Sequence, residues 1–131
     1  MALQPELAPV RMSCTRLEDR AAISAVALSY AQRMGFAQRA CWEIGIVVQE
    51  LVSNLVRHAG GGYLELSAHG GCLEVTATDS GPGIPAAVVA ASGESLRGLG
   101  AVRRLMHEVQ IDSAASGGTR IRARHYLDRL S

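Results

Sequence analysis

The chain has 131 residues, 48% of them hydrophobic, 19% charged and only 4% aromatic. That is the composition of a globular domain with an aliphatic core, long enough to bury one core and too short for two, so residues 1–131 are expected to form a single domain with a loose tail at 1–9. Thirteen basic against twelve acidic residues leave a net charge of +1, which excludes a global field for nucleic acid or an anionic membrane.

The opening MALQPELAPV lacks the basic-then-apolar order of a secretory signal, and no run is long enough to span a membrane, so a cytoplasmic location without membrane or nucleic-acid partners is expected. Residues 10–15 alternate as a short first strand. From Leu17 to Met34 apolar residues recur at helical spacing, with Thr15 as the expected N-cap, Glu18 and Asp19 in the first turn, and Gly35 as the stop. A second helix over 38–58 places Ile44, Val48, Leu51, Val52, Leu55 and Ala59 on one buried face and Glu43, Glu50, Asn54 and Arg57 on a narrow polar stripe. Gly60, Gly61 and Gly62 end that helix. YLELSAH at 63–69 and CLEVTATD at 72–79 alternate as a hairpin turned by Gly70-Gly71. Residues 80–97 read as a functional loop, 98–106 as a short helix with a glycine-rich start, and VQIDSA with TRIRARHYL as a second hairpin. Cys14, Cys41 and Cys72 show no metal or redox spacing and read as free or buried thiols. Helices bunched early and hairpins late point to an α+β fold: a two-layer α/β sandwich with a mixed, mostly antiparallel sheet covered on one face by helices.

Three short segments carry candidate chemistry. In ELVSN, Glu50 and Asn54 are i, i+4 neighbours, a carboxylate able to take a proton beside an amide oxygen suited to Mg²⁺; taken alone they fit a solvated face at least as well. In DSGPGIP, Asp79 ends an apolar strand, Gly81 and Gly83 let backbone approach a planar ligand, and Ile84 packs on it; an ordinary Asx turn explains the segment equally well. In RGLGA, the amides of Gly98, Leu99, Gly100 and Ala101 open a helix as a phosphate cradle, with Arg97 closing over a nucleotide tail. Arg57, His58, Arg103 and Arg104 read as surface or capping residues.

ExxxN on a helix, DxGxG after a strand, GxG before a helix and Gly118-Thr119 before the last strand together resemble the GHKL ATPase superfamily over roughly residues 40 to 124. The resemblance implies ATP and Mg²⁺ as cofactors, Glu50 as general base, Asn54 as the Mg²⁺ ligand, Asp79 as the adenine-reading carboxylate supported by Thr119, and Gly81, Gly83, Gly98 and Gly100 as backbone contacts. With no room for a transducer domain or a phospho-acceptor helix, the chain is most similar to the bacterial anti-sigma-factor and switch-protein serine/threonine kinases. That branch implies transfer of the γ-phosphoryl group to a Ser or Thr of a small anti-sigma-antagonist or stressosome-type STAS protein. It also implies a sigma factor or activating phosphatase as a further partner and a homodimer as an assembly. An anti-sigma factor that sequesters a sigma factor under nucleotide control is the alternative reading, and a degenerate nucleotide binder a third.

Overall fold

The computed structural model describes residues 7–79, 99–113 and 118–127. Period-two alternation puts Leu64, Leu66 and Ala68 of β2 (Gly62–His69) and Leu73, Val75 and Ala77 of β3 (Cys72–Asp79) on one face of a sheet. Gly70 and Gly71, with φ of 51° and 84°, supply the two positive-φ positions of a tight hairpin between them. With β1 (Val10–Cys14), β4 (Glu108–Ser113) and β5 (Thr119–Tyr126) the strands form a five-stranded sheet in the order β1-β2-β3-β5-β4. Every neighbouring pair is antiparallel.

Helices α1 (Asp19–Met34) and α2 (Gln38–Ala59) cover one face of this sheet, and α3 (Leu99–Leu105) packs on α2. The α2 residues expected to be buried, Ile44, Val48, Leu51, Val52, Leu55 and Ala59, are all buried, and Ile23, Ala27 and Ala31 of α1 join them over Leu64, Val75 and Ile121. Gly35, at φ 101°, ends α1, and its N–H donates to the Gln32 carbonyl. On the outer surface Trp42 and Ile46 are exposed, 59% and 45% respectively. The opposite face of the sheet carries polar residues. Arg124 on β5 reaches Glu74 on β3 at 2.7 Å and Glu108 on β4 at 3.5 Å, and Arg122 reaches Asp112 at 3.3 Å.

Two local expectations change. Thr15 does not cap α1 with its side chain. The cap runs in reverse: the Asp19 carboxylate accepts hydrogen bonds from the Thr15 and Arg16 amides, and residues 16–18 form a turn before the helix. The polar stripe of α2 is not one surface either. Glu43 turns toward His125 at the end of β5, Asn54 is buried, and Arg57 is exposed, because α1, the sheet and α3 enclose α2 from three sides.

Candidate functional site

The sheet register brings the end of β1, the start of β2 and the end of β3 to one edge: Cys14 lies opposite Gly62, and Gly62 opposite Asp79. Helix α2 ends three residues before Gly62, so its C-terminal half stands over that edge. The glycine run that joins them has a separate task at each position. Gly60, at φ 76°, closes α2 in the left-handed conformation, and the N–H of the next residue, Gly61, donates to the Leu55 carbonyl at 2.9 Å. Gly61, at φ 120°, lies against the backbone of β1, where a Cβ would come within 2.9 Å of the Cys14 carbonyl oxygen. Gly62 lies against β3: a Cβ there would overlap the Thr78 carbonyl oxygen and come within 2.7 Å of the Asp79 Cα. The absent side chain lets β2 seat directly on Asp79.

Asp79 is buried, and its Oδ2 accepts a hydrogen bond from the backbone N–H of Thr119, itself buried at the start of β5. Two residues forty positions apart in sequence thus form one polar unit at the sheet edge. On α2, which packs against β3, Glu50 and Asn54 stand one helical turn or about 6 Å apart along the axis. Glu50 is half-buried and has no ion pair or hydrogen bond among the described residues. Asn54 is 1% exposed, and neither its amide oxygen nor its amide nitrogen has a hydrogen-bond partner among the described residues.

Ser53, between them, was given no role by sequence reasoning. Its hydroxyl donates to the Gln49 carbonyl at 3.0 Å and accepts from the Arg20 guanidinium at 3.3 Å, tying the start of α1 to the segment that presents Glu50 and Asn54. A lone Arg at a helix start and a Ser inside another, 33 positions apart, leave no pairing signal in the sequence.

Leu99, Gly100 and Ala101 form the first turn of α3, with Leu99 buried among the core. A Cβ at Gly100 would stand 3.6 Å from Nη1 of Arg104, so the guanidinium leans back along α3 toward its start instead of simply extending into solvent. Gly81, Gly83, Ile84, Arg97 and Gly98 lie outside the described residues. No group of three or more His, Cys, Asp or Glu side chains able to hold a metal occurs among the described residues. The unpartnered amide oxygen of Asn54 is a donor of the hard, neutral type that suits Mg²⁺.

A buried helix amide with no partner among the described residues, one turn from a half-buried carboxylate, is suited to a polar ligand. A family model described as the histidine kinase-like ATPase domain matches residues 14–125. The chain belongs to this family. Serine/threonine-protein kinase RsbT of Bacillus subtilis strain 168 is 34% identical over 128 residues, covering 88% of this chain and 96% of the relative. Among solved structures, the RsbU and RsbW domains of Rv1364c from Mycobacterium tuberculosis superpose with a TM-score of 0.72 at 19% identity, over 95% of this chain and 34% of that one. The SiaB–SiaC complex from Pseudomonas aeruginosa gives a TM-score of 0.64 at 16% identity, over 91% of this chain and 89% of that one. These two share the fold, and the Bacillus match puts this histidine kinase-like ATPase in the switch-kinase branch of the GHKL superfamily. No helix among the described residues is long and apolar enough to cross a membrane.

Proposed function

We propose that residues 1–131 form one ATP-dependent serine/threonine protein kinase domain, acting on a small STAS-type anti-sigma-antagonist partner in a partner-switching pathway. The observation that carries this reading is the buried, unpartnered amide of Asn54 one turn from Glu50. The kinase name of the Bacillus relative supports the reaction class.

In this reading Asp79, fixed by the Thr119 amide, accepts a hydrogen bond from the adenine amino group, and Gly81, Gly83 and Ile84 contact the base. The amides of Gly98, Leu99, Gly100 and Ala101, with Arg97, hold the phosphates. Asn54 would hold Mg²⁺ through its amide oxygen; the ion, when bound, neutralises charge across the phosphate oxygens. Glu50 takes the proton from the acceptor Ser or Thr hydroxyl. The freed oxygen forms its bond to the γ-phosphorus as the bond to the β–γ bridging oxygen breaks, and ADP leaves.

The test is incubation of the full chain with Mg·ATP and a STAS-domain partner, read by phosphopeptide mass spectrometry. Phosphoserine or phosphothreonine on the partner is expected, and Glu50→Gln should slow transfer by about 10²-fold or more while ADP affinity stays within about threefold. Transfer by Glu50→Gln at the wild-type rate removes the base from the mechanism. Co-purification with a sigma factor and no transfer to the STAS partner would favour the sequestering alternative.

A further inference from the structure

At the end of the helical layer away from Asn54, the loop after α1, the first half of α2, the turn after α3 and the end of β5 enclose a cleft of about 320 Å³. That volume lies at the lower end of the range of small-ligand sites, roughly 300–1,000 Å³. Glu43 is seven residues, or about 10 Å of helix, before Glu50, so the cleft is separate from the site described above.

The most buried polar side chain in its wall is His125, 8% exposed. Edge-on contacts to Phe36 and His107, with ring centroids 5.2 and 4.5 Å away, fix its ring. Nδ1 of His125 is buried without a hydrogen-bond partner among the described residues, and Nε2 faces Oε1 of Glu43 across 3.8 Å. That separation is too long for a hydrogen bond, yet one oxygen seated about 2.8 Å from each atom bridges it. Such an oxygen must donate to the carboxylate and accept from the imidazole N–H. A ligand hydroxyl does both, in the place a water can take, whereas an ammonium cannot accept and a carboxylate cannot donate. The other carboxylate oxygen of Glu43 lies 3.6 Å from Nε of Arg39. Phe36, Ala40 and Leu105 give the cleft an apolar wall, and Arg39 brings a cation to its rim, while Arg104, also in the lining, has its guanidinium near Gly100 at the start of α3.

We propose that this cleft is a second binding site, for a small hydroxylated ring compound bearing one anionic group, of the phenolic-acid class. The hydroxyl sits between Glu43 and His125, the ring lies against Phe36 and Ala40, and the anion meets Arg39 at the rim. The site depends on no step of phosphoryl transfer.

The experiment is a titration of the isotope-labelled full chain with 4-hydroxybenzoate, followed by NMR of the His125 imidazole and the backbone amides. Saturable shifts centred on His125 and Phe36 are expected. Benzoate, which lacks the hydroxyl, should bind at least about tenfold more weakly, and so should 4-hydroxybenzoate to Glu43→Gln. Ala37→Trp, at an exposed position on the rim, should abolish the shifts with the rest of the spectrum native. The proposal is overturned by the absence of saturable shifts at His125 below about 10 mM. Equal affinity for benzoate, or unchanged binding by Glu43→Gln or by Ala37→Trp, also overturns it.

Discussion

A buried polar group without a partner costs about 1–3 kcal/mol, and both polar atoms of the Asn54 side chain are in that condition. Asn54→Leu, which keeps the number and branching of the side-chain heavy atoms, should therefore leave the fold as stable as before or stabilise it by roughly 1–2 kcal/mol in urea unfolding. The same substitution should weaken Mg²⁺-dependent ADP binding at least about tenfold by calorimetry. A parallel loss of stability would mean that Asn54 is structural. Cys14 gives a pH signature. Burial, and secondarily the Asp19 carboxylate, push its thiol up to about 11 from an ordinary 9.0. The unfolded chain loses that proton first as pH rises, so the contribution is intact below pH 9.0 and is lost as pH climbs to about 11, on the order of 1–2 kcal/mol. Denaturation at pH 8 and pH 10.5 should show the decline, and Cys14→Ala should lessen it, the Cys41 and Cys72 thiols, also pushed up by burial, keeping the remainder. The i, i+4 spacing of Glu50 and Asn54 was legible in the sequence. The burial of Asn54 was not, because it depends on how α1, the sheet and α3 pack around α2, which the helical period does not reveal.

The elements themselves followed from period: six of the α2 residues expected in the core are there, and both hairpins pair as their alternation implied. The order in which the strands lie, with β5 inserted between β3 and β4, has no local signature, since antiparallel pairing of distant segments is decided by global packing. Nor does a glycine run disclose which of its members is needed for closeness and which for a left-handed turn. Gly60 faces open space, so Gly60→Ala should cost only about 1 kcal/mol, from its positive φ. Gly62→Ala drives a Cβ into the β3 backbone beside Asp79 and should cost about 2–4 kcal/mol. Its remaining folded fraction should bind nucleotide more weakly than Gly60→Ala. Thermal melts and ADP titration of the two variants side by side check both the ranking and its cause.

For the molecule as a whole, a ligand held between α2 and the Asp79–Thr119 edge clamps segments from three parts of the chain. Mg·ADP at about a hundred times its dissociation constant should raise unfolding free energy by roughly 2.7 kcal/mol, and Asn54→Leu should lose most of that gain at the same concentration. The α+β class and the helices-on-one-face layout were readable from element order alone, whereas the cleft at His125 was not, since its parts come from four separate segments. The choice of probe for such experiments follows from Trp42. It is the only tryptophan in the chain, and it stands on the outer surface of α2, 59% exposed. Its indole is already largely in water in the native state, so its emission maximum should move little when the chain denatures. Folding of this protein is to be followed by the far-ultraviolet dichroism of its helices; tryptophan fluorescence is better suited to detecting whatever comes to rest against that outer face.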